Sequence, residues 1–480
     1  MKAAHIAARI ASLLPRTMST SSPSPSLRAL QPPQHKGMTA LDRSKFALTI
    51  PVLAARVRAG DMGAVRKHDL LRGHIVDIPK IRSITPDADP ALRRLLLRVA
   101  DPAELPEPTR AFLADSGIAL EPDSVTLGYE HWTASEILNA VIETKEDEDT
   151  PSSFTQTGHI AHVNLREEWL PYKAMIGQVI LDKIPSIRTV VNKLSEIHAE
   201  YRYFDMEVIA GDEDFVATTS ESGCTFTFDF AHVYWNSRLH TEHERLISQF
   251  APGSVVADAM AGVGPFAVPA AKRGAYVLGN DLNPESVRWM RENRVRNKVE
   301  ERLRVTEADA RAFIRGAPAE AWRNPFPRSE PLTTRQRERE ARRRREAAKE
   351  AGVVLPREEK AEEETPKPQT VDHYVMNLPD SALEFLDAYA GSFTPLLDEP
   401  GFDAAATTLP LIHCHCFTRF LDLDAATRDI NERATAALGH PVTTDMDGYL
   451  LHLVRRVAPN KDMYCLTFRL PHDVAYKKIV

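Results

Sequence analysis

The segment Ser254–Ser286, SVVADAMAGVGPFAVPAAKRGAYVLGNDLNPES, constrains the fold of this chain more than any other. It indicates a buried strand, a glycine turn, a helix and a second strand that ends in an acid. Strands and helices keep alternating from Thr241 onward, which is typical of a parallel sheet with crossover helices. Near the C-terminus, YLLHLVRRV and MYCLTFRL are joined by APNKD, and this pattern predicts an antiparallel hairpin.

A parallel sheet that finishes in an antiparallel hairpin resembles the class I methyltransferase fold more than the dinucleotide-binding dehydrogenase fold. We therefore predict an α/β fold of this class, with a Rossmann-like, mostly parallel seven-stranded sheet and a C-terminal antiparallel hairpin, preceded by two smaller α+β domains. The predicted boundaries are 39–145 for the N-terminal domain, 150–237 for the middle domain and 238–480 for the methyltransferase domain.

The bulk composition excludes several classes of protein. The chain has 480 residues and a net charge of -7, so a surface that binds nucleic acid must be a local patch rather than a global basic field. Four cysteines in this length do not form a disulfide framework and predict a reducing compartment. The sequence contains no apolar run long enough to span a bilayer, and we expect no membrane partner.

The first 38 residues differ in composition from the rest of the chain. They are rich in serine, have no acid before Asp42, carry the basic residues Lys2, Arg9, Arg16 and Arg28, and place apolar residues at helical spacing. This composition favours a mitochondrial transit peptide over a disordered tail. Met18 and Met38 are possible later starts, so the prediction is a mitochondrial matrix protein with cytoplasmic and nuclear pools.

Three further segments bear on the organisation of the chain. Ala91–Ala100, ALRRLLLRVA, is predicted to be helical. The acidic and proline-bearing segment Glu143–Ser153 indicates a linker. Residues 328–369 have almost no large apolar side chains and are predicted to be a charged, disordered insertion between two sheet strands. Within it Arg342–Arg345 could contact RNA phosphates, but a solvated loop is the favoured interpretation.

The glycine turn narrows the choice of ligand without deciding it. The third glycine of the dinucleotide fingerprint is replaced by Ala267, which is a permitted variant. The turn is not followed by Gly-Lys-Ser/Thr, which excludes a P-loop. Because Gly262 and Gly264 have no side chains, a ligand can lie against their backbone. S-adenosylmethionine requires such a turn for its ribose and amino-acid end.

Acids at the ends of the next two strands favour a nucleoside ligand. Asp281 ends the second strand, where a carboxylate can accept hydrogen bonds from both ribose hydroxyls. Asp309 ends the third strand, beside Ala310, where an acid commonly meets the adenine amino group. The alternative is that each acid only caps the helix that follows it. Asn377, in VMNLPD, ends the fourth strand, and its amide can hold a nucleobase edge or the methionine end of the cofactor.

The sequence IHCHCF suggests a metal site at first sight, because it contains His413, Cys414, His415 and Cys416. A strand would direct the two histidines to one face and the two cysteines to the other. A tetrahedral zinc site needs its ligands on one side, so we interpret the segment as a buried strand and predict no metal.

Five segments in this order resemble a known family. HIAHVNLREEWLPYK, VYWNSRLHTEHERL, DAMAGVGPFAVPAAKRG, NDLNPES and NLP are similar to the eukaryotic tRNA (guanine-37-N1)-methyltransferases. The resemblance runs from about Asp42 to the C-terminus, except for the insertion. It implies methylation of tRNA at N1 of guanine 37, which supports maintenance of the reading frame. It also implies that the N-terminal domain contacts the tRNA outer corner, that the other domains hold the anticodon arm, and that the enzyme is a monomer.

The resemblance also assigns roles to individual positions. It places S-adenosylmethionine at a set of cofactor residues, namely His243, Asp281, Leu282, Asp309, Ala310 and Asn377. It places Arg238 beside the target base.

The chemistry of guanine supports an arginine in this position. N1 carries a hydrogen, and negative charge develops on O6 as that proton leaves. A guanidinium next to O6 stabilises this charge and lowers the free energy needed to deprotonate N1. A carboxylate must accept the proton, and Glu242 and Asp281 are both candidates. Methyl transfer is a direct displacement that needs alignment and no metal. The predicted catalytic residues are therefore Arg238, Glu242 and Asn377.

Two other functions remain open on the sequence. One is transfer of the aminocarboxypropyl group of the same cofactor to a modified guanosine, as in wybutosine synthesis on the same scaffold. The intact NSRLHTEHER and NLP segments favour methyl transfer. The other is a tRNA-binding chaperone without catalysis, against which the presence of Asp258, Asp281, Asp309 and Asn377 argues.

Overall fold

The structure is a computed structural model, and it describes residues 30–143, 154–197, 204–326 and 369–478. The chain forms two compact units. One contains the residues before 154 together with 165–185, and the other contains 154–164 and the residues from 186 onward. Most of the predicted transit peptide, and nearly all of the predicted linker and charged insertion, lie outside the described residues. The three-domain boundaries therefore stay a prediction.

The first unit contains a four-stranded antiparallel sheet with strand order β2-β3-β1-β4. Its strands are β1 (Leu48–Arg58), β2 (Ile84–Pro86), β3 (Leu92–Leu97) and β4 (Ala119–Leu127). Its helices are α1 (Met62–Lys67), α2 (Glu107–Asp115), α3 (Ala134–Val141) and α4 (Lys173–Lys183). The helix α3 begins with a capping box, in which Thr133 and Glu136 satisfy each other's backbone amides.

The predicted helix in Ala91–Ala100 is wrong, because the segment forms strand β3. This strand lies between β1 and β2 and pairs antiparallel with both. Leu95 and Leu97 are completely buried in the core of this unit. The leucine pattern fits a helix face as well as a strand face, and hydrogen bonds from two neighbouring strands decide between them.

The second unit begins with two small sheets. Strands β5 (Thr155–Thr157), β6 (Ile160–Val163), β7 (Thr189–Ile197) and β8 (Phe204–Gly211) form a four-stranded sheet in that order. The pair β6 and β7 is parallel, and the outer pairs are antiparallel. Strands β9 (Val216–Glu221) and β10 (Cys224–Asp229) form a hairpin. The sequence pattern predicts strands in HIAHVNL, TVVNKL, MEVIAG and CTFTFDFAHVYW. The first three are confirmed, whereas in the fourth the strand ends at Asp229 and AHVYW is not a strand.

A seven-stranded sheet forms the centre of the second unit, with order β13-β12-β11-β14-β15-β17-β16. Its strands are β11 (Val255–Asp258), β12 (Tyr276–Asp281), β13 (Leu303–Glu307), β14 (His373–Met376), β15 (Leu411–Thr418), β16 (Leu450–Ala458) and β17 (Lys461–Arg469). The first five strands are parallel, and β17 runs antiparallel between β15 and β16. The predicted fold class and its C-terminal hairpin are confirmed.

Helices cover both faces of this sheet. They are α5 (His240–Ile247), α6 (Ala267–Lys272), α7 (Pro284–Arg296), α8 (Ala310–Arg323), α9 (Leu423–Leu438) and α10 (His472–Ala475). The sequence pattern predicts a helix over SALEFLDAYAGSF, and the structure has a 3₁₀ helix over Ala382–Tyr389 within that segment. None of the described helices is both long enough and apolar enough to cross a lipid bilayer.

Each face of the sheet has its own apolar core, and β15 contributes to both. Cys414 and Cys416 belong to one core. The His413 and His415 rings lie on the opposite side, near Phe250 and Phe266 of the other core. The structure therefore confirms that IHCHCF is a buried strand whose cysteines and histidines point to opposite faces.

Two glycines in helices provide a test of these backbone assignments. Gly439 ends α9 in the left-handed region with φ 67, whereas Gly316 lies exposed in the interior of α8 with open space beside it. Alanine at Gly439 should lower the free energy of unfolding by about 1 kcal/mol. Alanine at Gly316 should raise it by about 0.5 kcal/mol. Urea unfolding of both variants measures the two changes, and equal effects would contradict the left-handed assignment.

Candidate active site

A cavity of about 440 Å³ opens at the carboxyl edge of the seven-stranded sheet. Its lining comes from the loops after β11, β12, β13 and β14, from the segment before α5, and from β15 and the β16–β17 hairpin. Of the eight residues that the sequence predicted, six line this cavity: His243, Asp281, Leu282, Asp309, Ala310 and Asn377. Arg238 and Glu242 do not line it.

The glycine turn and the end of β12 are held together by one carboxylate. The Gly262 amide donates to Oδ2 of Asp281 at 2.7 Å, and the Asn283 amide donates to Oδ1 at 2.9 Å. Gly262 and Gly264 have φ of 56 and 97, which side chains rarely adopt. Burial raises the pKa of Asp281, and these backbone hydrogen bonds oppose that rise. The carboxylate is thus fixed at the sheet edge with its remaining lone pairs available to a ligand.

The next loop offers an apolar surface beside a second acid. Leu282 is 48% exposed although it is a large apolar side chain, and it lines the cavity with Ala310 and Phe385. Asp309 caps α8 by accepting hydrogen bonds from the Arg311 and Ala312 amides at 3.0 and 3.1 Å. Asp309 therefore acts as a helix cap, the alternative noted from the sequence, and lines the cavity as well.

Two buried acceptor atoms lie on residues that line the cavity and have no hydrogen-bond partner among the described residues. They are Nε2 of His243 and Oδ1 of Asn377. Nδ1 of His243 contacts the carboxylate of Glu221, which orients the ring so that Nε2 is the acceptor nitrogen. Buried polar atoms are nearly always satisfied in native proteins, so these two atoms indicate a polar ligand.

Arg238 lies beside the cavity rather than in its wall. It belongs to a short 3₁₀ helix, Ser237–Leu239, whose cap residue Asn236 accepts a hydrogen bond from the Arg238 amide at 3.1 Å. Its Nη2 donates to Oγ1 of Thr155 at 3.2 Å. Arg238 is exposed, and its chain neighbours Asn236 and Leu239 line the cavity.

The side chain of Glu242 is buried and does not line the cavity. Its side chain is 2% exposed, and its two oxygens accept hydrogen bonds from Arg245 at 2.6 and 2.7 Å and from Nε2 of His415 at 2.7 Å. Burial raises the pKa of Glu242, but the hydrogen bonds from Arg245 and His415 outweigh it and lower the pKa. A carboxylate that is held ionised inside such a network, away from the cavity, has no direct route to a bound base.

The same network contains a group of potential metal ligands. Ligand atoms of Glu242, His415 and Cys465 lie within 4.8 Å of one another, and all three residues are buried. The guanidinium of Arg245 already brings a positive charge to this carboxylate. A cation would have to displace it, so we assign the cluster a structural role.

Several cavity residues were missed by the sequence analysis, namely Asp380, Phe385, Phe417, Val457 and Lys461. The Lys461 ammonium lies 4.0 Å from the centre of the Phe417 ring and 3.8 Å from Asp380. Of these five residues, only Asp380 could have been predicted from a local motif, because it directly follows NLP. The hairpin residues reach the cavity because β17 inserts beside β15, and that pairing is not encoded by any short motif.

Known proteins similar to this chain carry a consistent name. A tRNA (guanine(37)-N(1))-methyltransferase of Cryptococcus neoformans is 52% identical, over 93% of this chain and 88% of its own. Proteins of the same name from Coprinopsis cinerea and Schizosaccharomyces pombe are 44% and 43% identical, and this chain covers 97% and 96% of them. This chain belongs to the tRNA (guanine(37)-N(1))-methyltransferase family.

Two family models match parts of this chain, and two solved structures share its fold. The TRM5/TYW2 methyltransferase domain matches residues 217–321, and the TYW2 N-terminal domain matches 134–214. The crystal structure of wild-type Trm5b from Pyrococcus abyssi is 21% identical with a TM-score of 0.51, and it covers 87% of this chain and 98% of its own. The complex structure of aTrm5 and tRNALeu is 17% identical with a TM-score of 0.54, with 87% and 100% covered. At these identities the structures support the fold alone.

The cavity fits S-adenosylmethionine, the cofactor expected in this family. The carboxylate of Asp281 suits a ribose diol, the exposed Leu282 suits an adenine face, and Nε2 of His243 can accept from an ammonium group. None of these groups requires a phosphate. We therefore describe the cavity as a methyltransferase cofactor site.

The buried network at Glu242 predicts a pH dependence of stability. Burial lowers the pKa of His415, but Cys465 and Glu242 outweigh it and raise the pKa above its ordinary 6.5. The folded state then holds a proton that the unfolded state releases, so this stabilisation is complete below pH 6.5 and falls as the pH rises toward the folded pKa.

The free energy of unfolding of the wild type should exceed that of His415→Gln most at pH 6.5. We expect this difference to shrink by roughly 1 kcal/mol per pH unit between pH 6.5 and 8.5. Urea unfolding at these two pH values measures the change. The exposed His472 provides the control. His472→Gln should differ from the wild type in free energy of unfolding by the same amount at both pH values. A constant difference between the wild type and His415→Gln would contradict the raised pKa.

Proposed function

We propose that this protein transfers a methyl group from S-adenosylmethionine to N1 of guanine 37 in tRNA, giving 1-methylguanosine next to the anticodon. The observation that carries the proposal is the cavity, which gathers the glycine turn, both strand-end acids and Asn377 at one sheet edge in a member of this family. Bound S-adenosylmethionine supplies an activated methyl group on a sulfonium centre.

The cofactor residues have distinct tasks in this proposal. Asp281 accepts hydrogen bonds from the ribose hydroxyls, and its own position is fixed by the Gly262 and Asn283 amides. Leu282 packs on the adenine ring, whose amino group meets Asp309 beside Ala310. The free acceptor nitrogen of His243 receives a hydrogen bond from the methionine end.

The target guanine is held between Arg238 and Asn377. The guanidinium of Arg238 stabilises the negative charge that develops on O6 as N1 loses its proton. The cap at Asn236 fixes the Arg238 backbone, and the hydrogen bond to Thr155 limits the orientations of its side chain, which lowers the entropy lost when the guanidinium meets the base. The Asn377 amide has a buried oxygen available to accept from the guanine amino group or from the cofactor.

The proton of N1 requires an acceptor at the cavity. Of the two candidates from the sequence, Glu242 is enclosed by Arg245 and His415, whereas Asp281 lines the cavity. Asp281 already accepts two backbone hydrogen bonds, and burial raises its pKa, which makes it a stronger proton acceptor than an ordinary aspartate. Glu242 therefore has no direct access to N1, and Asp281 takes the proton only by giving up one of its hydrogen bonds to the ribose.

The substrate contacts and the location extend this proposal. We propose that the N-terminal domain contacts the tRNA outer corner, that the other domains hold the anticodon arm, and that the enzyme acts as a monomer. We also propose a mitochondrial matrix location, directed by the first 38 residues, with cytoplasmic and nuclear pools made from a later start.

Methylation of a tRNA transcript with G37, compared with the same transcript carrying A37, tests the activity. We expect incorporation of label from S-adenosylmethionine only into the G37 transcript. The mass of the modified nucleoside should rise by about 14 Da, whereas aminocarboxypropyl transfer would add about 101 Da. Equal labelling of both transcripts, or the larger mass, would rule out the proposed reaction.

Arg238→Ala tests the role of the guanidinium. We expect the single-turnover rate of methylation to fall by at least about 100-fold, because a charge-stabilising donor is lost. The affinity for S-adenosylmethionine, measured by calorimetry, should stay within about twofold of the wild type, since Arg238 lies outside the cofactor contacts. Arg238→Lys, which keeps the charge but loses the planar fork, should give an intermediate rate. Parallel loss of cofactor binding and rate would contradict this assignment.

A further inference from the structure

A second polar feature of this unit lies next to Arg238, on the small sheet β5–β8. Thr155 of β5 lies directly opposite His162 of β6, and His162 lies opposite Val191 of β7. Lys193 follows two residues after Val191, so it projects from the same face as Thr155 and His162. Arg238 joins this face from its 3₁₀ helix through its hydrogen bond to Thr155. Strand pairing therefore gathers three basic side chains around one threonine.

The floor of this cluster is the buried ring of Phe230. The Lys193 ammonium lies 5.4 Å from the centre of that ring, and the His162 ring lies 5.1 Å from it. Contact with an aromatic face lets Lys193 keep its charge while it is partly removed from water. The cluster is thus a shaped cationic surface and not a set of mobile lysines in solvent.

The charges in the cluster oppose one another. Burial lowers the pKa of Lys193 to about 8, and the nearby charge of Arg238 lowers it further. The pKa of His162 falls to about 3 through burial and through Lys193 and Arg238, so its imidazole is neutral and can donate one N–H. A bound phosphate would accept hydrogen bonds from Lys193, His162 and Arg238, with its negative charge between the two cations.

We propose that a phosphodiester of the substrate RNA, next to the target guanosine, binds between Lys193 and Arg238 with His162 as a third donor. This inference rests on the proposed function. Arg238 lies between the cluster and the cavity, because its neighbours Asn236 and Leu239 line the cavity. A nucleotide whose base enters the cavity therefore has its backbone within reach of the cluster.

The proposal gives Lys193 a positioning task and leaves the chemistry to the cavity. The net charge of -7 provides no general attraction to RNA, so fixed local contacts must hold the flexible nucleotide. One edge of the Arg238 fork can contact the phosphate while its other donors face O6 of the guanine. Phosphate binding at Lys193 then aligns the base with both Arg238 and the cofactor.

Lys193→Gln, Lys193→Arg and Lys298→Gln test the proposal in the full-length enzyme. Lys298 is an exposed lysine just after α7, a helix that starts at the cavity edge of the sheet and ends at the opposite edge, so it serves as a control of equal charge change. Affinity for a G37 tRNA transcript is measured by fluorescence anisotropy at several salt concentrations, and cofactor affinity by calorimetry.

We expect Lys193→Gln to weaken tRNA binding about tenfold and to reduce the slope of log K against log salt by about 0.7 to 0.9. Lys193→Arg and Lys298→Gln should keep the wild-type slope. All variants should bind S-adenosylmethionine like the wild type, which shows that they are folded.

A second measurement locates the phosphate. An anticodon stem-loop RNA with a neutral methylphosphonate at one linkage flanking the guanosine should bind the wild type more weakly than the unmodified RNA. The same replacement should weaken binding less in Lys193→Gln than in the wild type, because the two changes share the Lys193 contact.

The outcomes separate the two proposals. If the wild type methylates G37 tRNA but Lys193→Gln matches Lys298→Gln in affinity and slope, the phosphate site is wrong and the proposed function stands. If the wild type binds tRNA through Lys193 but does not methylate G37, the phosphate site stands and the proposed function fails. Additive effects of Lys193→Gln and the methylphosphonate would show that Lys193 contacts a different part of the RNA.

Discussion

The carboxylate of Asp281 is the interaction on which the cofactor site depends. By accepting hydrogen bonds from the Gly262 and Asn283 amides, it joins the glycine turn after β11 to the start of α7. The turn would otherwise present unsatisfied amides at the sheet edge, which is costly in a buried site. The same residue lines the cavity, so the group that stabilises the loop is also the group that we propose binds the ribose. Fold and ligand site share one acid here, and both would be disturbed by its loss.

A second carboxylate, that of Glu242, stabilises the fold but does not line the cavity. Glu242 lies one residue before His243 in α5, yet its side chain turns into the protein, where Arg245 and His415 neutralise it. This network connects α5 to strand β15 and fixes the helix that carries His243 to the cavity. Breaking a buried and paired charge is strongly destabilising, so the network holds the helix firmly. Glu242 supports the site through packing and charge, while the cavity carboxylates meet the ligands.

An acidic protein that binds tRNA must concentrate its positive charge. The face formed by Lys193, His162 and Arg238 does this on a small sheet next to the cavity. Phosphate contacts supply orientation but carry no base identity, whereas contacts to the base edge provide selectivity. Lys193 and Arg238 lie outside the cavity lining, whereas Asn377 lies in it.

The sequence by itself determined the alternation of strands and helices, the glycine turn, the strand-end acids and the C-terminal hairpin, because these depend on local periodicity and short-range geometry. It also led to six residues that the cavity gathers, since parallel strands end at one sheet edge. Only the tertiary structure decided that Leu92–Leu97 is a strand, that Glu242 is enclosed, and that Phe417 and Lys461 reach the cavity. The tertiary structure also places Lys193 near Arg238. Each of these outcomes depends on pairing between segments far apart in the chain, and no local propensity encodes such pairing.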